Sequence, residues 1–260
     1  MLKEKTIDQW FFIKYNDPEH HIRVRFHCFD PDHKTDEWYR ILENLQKAVH
    51  HFIEVEQAVR IVADTYVREI ERYGAQTMEL SERIFFYDSV AVSEFLNLIH
   101  GNEGERLRWK FALVDVNRLL EDFKYSVKDK MRVIASLCEN FTNEFSFNNS
   151  ENYVAISRTL SSKHRNLKKE ISDIILENET TQYAEAYECF NKRSKSISAE
   201  LSAYQDLSWE MKDHLLMSYI HMTLNRLFMV NQRRHELVIY YFLKKFYESE
   251  IGKAKNNILI

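Results

Sequence analysis

Glycine and proline are scarce in this chain, at four and two among 260 residues. Few turns with special backbone angles are available, which disfavours a many-stranded β architecture and favours long helices. The same scarcity excludes phosphate-cradling loops: there is no GxGxxG, no GxxxxGK[ST] and no GxSxG. Cysteine is equally sparse. Cys28, Cys138 and Cys189 lie far apart and form no CxxC pair, and an odd number argues against a closed disulfide framework. They read as reduced packing residues of a cytoplasmic protein. Histidines cluster at His20-His21, His27 and His50-His51 without HExxH spacing or a cysteine pair nearby, so no metal site is expected. The N-terminus, Met1-Leu2-Lys3-Glu4-Lys5, lacks the apolar core of a signal peptide, and no uncharged apolar run is long enough to span a bilayer. A net charge of −4 with interleaved signs excludes the basic stripe of an autonomous nucleic-acid binder.

What is present is apolar mass: 45% hydrophobic and 13% aromatic residues, enough for a sizeable core. The first 74 residues have mixed character. Trp10-Phe11-Phe12-Ile13-Lys14-Tyr15 suits a buried strand, and Asn16-Asp17-Pro18 is turn chemistry. Ile22-Arg23-Val24-Arg25-Phe26 alternates strictly, placing Ile22, Val24 and Phe26 on one face and Arg23 and Arg25 on the other. The two runs predict an antiparallel pair. A helix is expected over 36–51, with Trp38, Ile41, Leu42, Leu45 and Val49 on one side, and a further strand over 59–67. From Thr77 onward the pattern is helical. Asp88-Ser89 resembles a helix cap, the region around His100 to Gly104 a loop, 106–145 a long helix broken once, and Asn148-Asn149-Ser150 another loop. The fold class expected is α+β, a small N-terminal antiparallel sheet packed against a predominantly helical remainder.

Three constellations could carry chemistry. Arg23 and Arg25 share a strand face at roughly 7 Å, from a rise of about 3.3 Å per residue. Two guanidiniums at that spacing suit a carboxylate or a developing enolate, and equally suit a solvated face paired with acids. Glu69 and Arg72, just before Gly74, read either as a structural ion pair or as an acid/base with its electrostatic partner. His221 shares a helix face with Asn225, which could orient a catalytic imidazole; a lone histidine on an apolar helix is also an ordinary core residue.

The pieces occur in a familiar order. Trp10 to Pro18 followed by His21 to Phe26 resembles the W-F-F-I-R-Y-x-D-P-x-x-H-L-R-L-R-F signature of the C-terminal domain of class I lantibiotic dehydratases and related thiopeptide-type bacteriocin biosynthesis proteins. Tyr66 to Gly74, Met78 to Glu82, and Phe85 to Ser89 are similar to the family's E-x-x-R-Y-G-G, M-E-L-A-E and D-S blocks. Ile220 to Leu227 is similar to its late H-M-x-x-N-R-L helix. The resemblance implies a single domain over 1–252, and the chain end over 253–260 reads as a disordered tail. It implies an elimination lyase that removes glutamate from glutamylated Ser or Thr of a ribosomally made precursor peptide, giving dehydroalanine or dehydrobutyrine in the cytoplasm. By motif matching it carries the functional arginines onto Arg23, Arg25 and Arg72, the elimination glutamate onto Glu69 and the histidine onto His221. No cofactor or metal is implied. The implied partners are the precursor peptide and a separate glutamylating dehydratase subunit, since the chain is too short to hold that larger domain; a homodimer is left open. A pyridine synthase joining two dehydroalanines, and a non-catalytic peptide-binding subunit, are the alternatives on the same fold. Three departures accompany the match: Gly74-Ala75 replaces Gly-Gly, Thr223 stands where some relatives have a second histidine, and the chain starts almost at the first strand, one strand and helix short of the usual pattern.

Overall fold

The protein was analysed as a computed structural model that describes residues 1–17, 19–29, 34–55, 57–58, 60–146, 149–178, 180–204 and 206–258. Two strands come first, β1 (Ile7–Tyr15) and β2 (His21–Cys28). They pair antiparallel with Phe11 opposite Arg25, Ile13 opposite Arg23 and Tyr15 opposite His21. Nine helices follow among the described residues: α1 (Lys34–Glu54), α2 (Ile70–Tyr73), α3 (Met78–Leu98), α4 (Gly101–Asp122), α5 (Val127–Ser146), α6 (Ser150–Ile175), α7 (Ala184–Leu201), α8 (Trp209–Leu227) and α9 (Gln232–Ile258). The α+β class holds, with a two-stranded sheet and a helical majority. No described helix is long and apolar enough to cross a membrane.

Contacts group the residues into two compact units, Met1–Phe86 and Tyr87–Ile260, with the boundary inside α3. In the first unit, Phe11 packs on Phe85 and Tyr66, with ring centroids 5.3 and 5.6 Å apart, and Tyr73 meets Phe85 edge-on at 5.1 Å. These rings bury one face of β1 against the start of α3. Val24 and Ile22 on the opposite face of the sheet stay exposed. α1 begins before and ends after the expected 36–51, and of its expected apolar side only Ile41 is fully buried; Trp38 is exposed.

The second unit is organised around α4. Every residue from Lys110 to Leu120 is buried, the mark of a helix enclosed on all sides. It contacts α6, α7, α8 and α9. Phe95, Phe111, Tyr187 and Phe190 interlock around it at centroid distances of 5.0 to 6.0 Å. Side chains satisfy free amides at two helix starts. Asn149 Oδ1 accepts from the amides of Glu151 and Asn152, and Ser208 Oγ from that of Met211.

Several expected elements are corrected. Residues 60–67 form no strand. Their β-branched run has the right propensity, but among the described residues it makes no backbone ladder with β1 or β2, and Ile61, Val62 and Val67 are exposed; Val59 lies outside the described residues. Asp88 and Ser89 are no cap: they sit buried in the middle of α3. The loop expected around His100 to Gly104 shrinks, because Gly101 reverses the chain at φ +62 and already opens α4. The long helix over 106–145 does break once, between Asp122 and Val127. Asn149 and Ser150, expected in a loop, cap and open α6. Pro18 of the first turn and Asn148 lie outside the described residues, and α9 continues to Ile258.

Candidate functional site

Arg23 and Arg25 lie on the same face of β2, as the alternation requires. The guanidinium carbon of Arg23 stands 4.2 Å from the ring centroid of Tyr15, and that of Arg25 5.4 Å from the ring of Tyr66. Tyr15 also stacks on His21, centroids 5.2 Å apart. Arg23 Nε donates to His21 Nε2 at 3.1 Å, while His21 Nδ1 lies 2.9 Å from the carbonyl of Glu19. His21 thus accepts with one nitrogen and donates with the other. Among the described residues, no carboxylate is paired with Arg23 or Arg25. Of the two sequence readings, the face paired with acids finds no such pair among the described residues.

Tyr66, beneath Arg25, is anchored to α3. Glu82 receives a bidentate pair from Arg68, Nε at 2.9 Å and Nη2 at 2.7 Å. Burial, and then the Glu82 carboxylate to which the phenol is bonded, push the Tyr66 hydroxyl well above its ordinary range. Glu69 adds to this effect from nearby. Glu69 and Arg72 approach to 3.7 Å, with both side chains open to solvent. A pair of that kind is worth less than about 1 kcal/mol. The turn carrying it ends at Gly74, φ 75 and ψ 141, whose N–H reaches the carbonyl of Ile70.

His221 belongs to the second unit. Its Nδ1 lies 3.0 Å from Glu236 Oε2, a carboxylate with no solvent exposure. Glu236 also accepts from Gln232 Nε2 at 2.8 Å and Tyr240 Oη at 2.9 Å. Asn225, which could orient the imidazole from its place on the same helix face, donates to Gln232 Oε1 at 2.8 Å. Bonds through Gln232 and Glu236 link it to His221, whose ring nitrogen turns towards α9.

The same helix is locked by a buried charge cluster that sequence reasoning missed. Arg193 bonds Asp88 at 2.9 Å and also Asp115, and Arg226 bonds Asp88 at 2.8 Å. Thr223 Oγ1 lies 2.5 Å from Asp115 Oδ2 and 2.9 Å from Asp88 Oδ1. Two aspartates thus balance two arginines out of water, across α3, α4, α7 and α8. A surface cavity of about 500 Å³ lined by Arg106, Lys110, Lys169, Glu170 and Tyr183 holds none of the five expected residues. Two of its cations, Arg106 and Lys110, both reach Glu170. No group of three or more His, Cys, Asp or Glu among the described residues is placed to hold a metal.

The model of the lantibiotic biosynthesis dehydratase C-terminal region matches residues 1–247. The chain belongs to this family. The nisin biosynthesis protein NisB of Lactococcus lactis subsp. lactis is 29% identical over 92% of the chain, and the subtilin biosynthesis protein SpaB of Bacillus subtilis 28% over 84%. The chain spans 22% and 20% of those two proteins. Two solved structures share the fold. The tRNA dependent lantibiotic dehydratase MibB from Microbispora sp. 107891 is 18% identical, with a TM-score of 0.69 over 97% of this chain and 26% of that one. TsrL is 13% identical, with a TM-score of 0.59 over 96% and 87%. As a lantibiotic dehydratase C-terminal domain, the chain gives its departures a physical reading. Ala75 replaces a glycine where no positive φ is needed, whereas Gly74 keeps one. Thr223 is fully buried between two aspartates, within hydrogen-bonding distance of both.

Proposed function

We propose that this domain eliminates glutamate from glutamylated serine or threonine residues of a ribosomally made precursor peptide, leaving dehydroalanine or dehydrobutyrine. The observation that carries the reading is the pair Arg23 and Arg25, two guanidiniums seated on tyrosine rings with no described carboxylate on either. Guanidiniums with no anion among the described residues are suited to bidentate capture of a carboxylate. The glutamyl group supplies one, and its departure as a glutamate anion supplies another.

The chemistry balances without a cofactor. A base takes the proton from Cα, the C–H electron pair becomes the Cα=Cβ bond, and the Cβ–O bond breaks with its electrons leaving on glutamate. The charge that develops on the amide oxygen needs cationic hydrogen-bond donors, a task for the arginines, including Arg72. In this reading His221 is the base, held by Glu236, and Glu69, beside Arg72, is the second proton carrier. The glutamyl ester itself is made by a reaction outside this domain.

Incubation with a glutamylated precursor peptide and mass spectrometry tests the reading. Loss of the glutamyl group with one unsaturation per site is expected, and His221→Ala should leave glutamylated peptide unconverted. Release of a leader peptide would identify a cycloaddition instead, and binding without a change in mass a non-catalytic subunit.

A further inference from the structure

Glu236 has no exposure to solvent. A carboxylate survives there only if its lone pairs are filled. Three donors converge on it: His221 Nδ1 and Tyr240 Oη on Oε2, and Gln232 Nε2 on Oε1. Among the described residues no lysine or arginine pairs with it; His221 is its sole ion-pair partner. Gln232, Glu236 and Tyr240 follow each other at i, i+4 spacing on α9, so one face of that helix presents the whole set to α8. The network also has a direction. Asn225 donates to Gln232 Oε1, which obliges Gln232 to turn its NH2 towards Glu236. Every group around the carboxylate is then a donor, and the imidazole must give it a proton at Nδ1.

We propose that Glu236 is the positioning residue of His221: it keeps the ring proton on Nδ1 and leaves Nε2 as the atom that exchanges protons with substrate. Its chemical step rests on the elimination reading given above; its tautomer does not. The imidazole is 30% exposed while the carboxylate is fully enclosed, so the ring is held from inside and offered outward. In the step itself, Nε2 accepts the Cα proton and the imidazolium formed is neutralised across the Nδ1–Glu236 bond. Glu236 touches no reacting atom.

The tautomer is read directly by ¹⁵N–¹H correlation of histidine-labelled protein, with no substrate present. The expected result is His221 protonated at Nδ1 and bare at Nε2. Glu236→Gln places a single oxygen and an NH2 among three donors, so the ring proton should move to Nε2. In turnover of glutamylated peptide, E236Q should lower kcat by ~10²–10⁴-fold, the range for a general acid–base group. KM should stay within about threefold, because the carboxylate makes no substrate contact. Glu236→Asp, which keeps an acceptor, should recover part of the loss, and a merely structural role would not separate the two variants in this way. Wild-type His221 protonated at Nε2 would overturn the proposal, as would E236Q with an unchanged kcat. A wild-type protein that fails to convert glutamylated peptide would remove the elimination reading alone, because the tautomer measurement still decides what Glu236 does to the ring.

Discussion

The guanidinium carbon of Arg23 stands 4.2 Å from the ring centroid of Tyr15, directly across from neither an aspartate nor a glutamate but from Ile13. Stacking holds the guanidinium plane while leaving its N–H fork available, apart from the Nε bond to His21. Arg23→Lys keeps the charge and loses both the fork and the stack. If this group grips the glutamyl carboxylate, kcat/KM for glutamylated peptide should fall by ~10–100-fold, the equivalent of about 1.5–3 kcal/mol for a charged hydrogen bond. Stability should stay within about 0.5 kcal/mol, because the side chain is exposed. Steady-state kinetics beside urea unfolding separates the two effects, and a fall in stability matching the fall in activity would count against a binding role.

Gly74 carries φ 75 and ψ 141, a region that residues with a Cβ avoid. It follows the short helix that bears Glu69 and Arg72, and its N–H closes that helix onto Ile70. Gly74→Ala should cost about 1–3 kcal/mol, while Ala75→Gly should cost under about 1 kcal/mol. The urea midpoints of the two variants give the comparison directly. Equal midpoints would mean that the backbone here relaxes to a negative φ.

The parts of the site that were legible in the sequence depend on short-range geometry. Strict alternation in residues 22–26 put Arg23 and Arg25 on one face, and helical spacing put His221 and Asn225 together. The parts that were missed depend on what a different helix brings. Glu236 lies 15 residues beyond His221 on α9, and nothing in the local pattern of His221 announces it. The i, i+4 series Gln232-Glu236-Tyr240 was the available signal, since a polar stripe on an apolar helix requires a polar partner. Asp88 misled for a related reason. An Asp-Ser pair has the chemistry of a cap, but apolar periodicity runs through it on both sides, and its partners Arg193 and Arg226 are over 100 residues away. Residues 60–67 show that strand propensity without a backbone ladder does not make a strand.

Asp88 is the hub of the buried cluster, bonded to Arg193, Arg226 and Thr223. Asp88→Ala leaves two buried guanidiniums short of a carboxylate, a change that costs about 3–5 kcal/mol. Glu144, paired with Arg233 on the surface with both side chains about half exposed, is the control. Glu144→Ala should change stability by under about 1 kcal/mol. Chemical denaturation of both variants tests the contrast. If Asp88→Ala costs no more than Glu144→Ala, the cluster is not what holds α8 to α3 and α4.

Asp122, near the end of α4, is 6% exposed, and burial raises its carboxyl from its ordinary range to about 7 against the opposing bond from Ser194. The folded protein then holds a proton that the unfolded chain releases near pH 4. Between those values the native state binds more protons, so stability falls as pH rises. The contribution is fully present below about pH 4 and gone above about pH 7. Asp122→Asn removes the ionisable group and keeps hydrogen-bonding capacity towards Ser194. Relative to wild type it should therefore gain stability between pH 5 and pH 8, by on the order of 2–3 kcal/mol at about 1.4 kcal/mol per unit. Urea unfolding of both proteins at the two pH values measures that difference, and a wild-type curve rising with pH more steeply than the variant's would reverse the assigned sign.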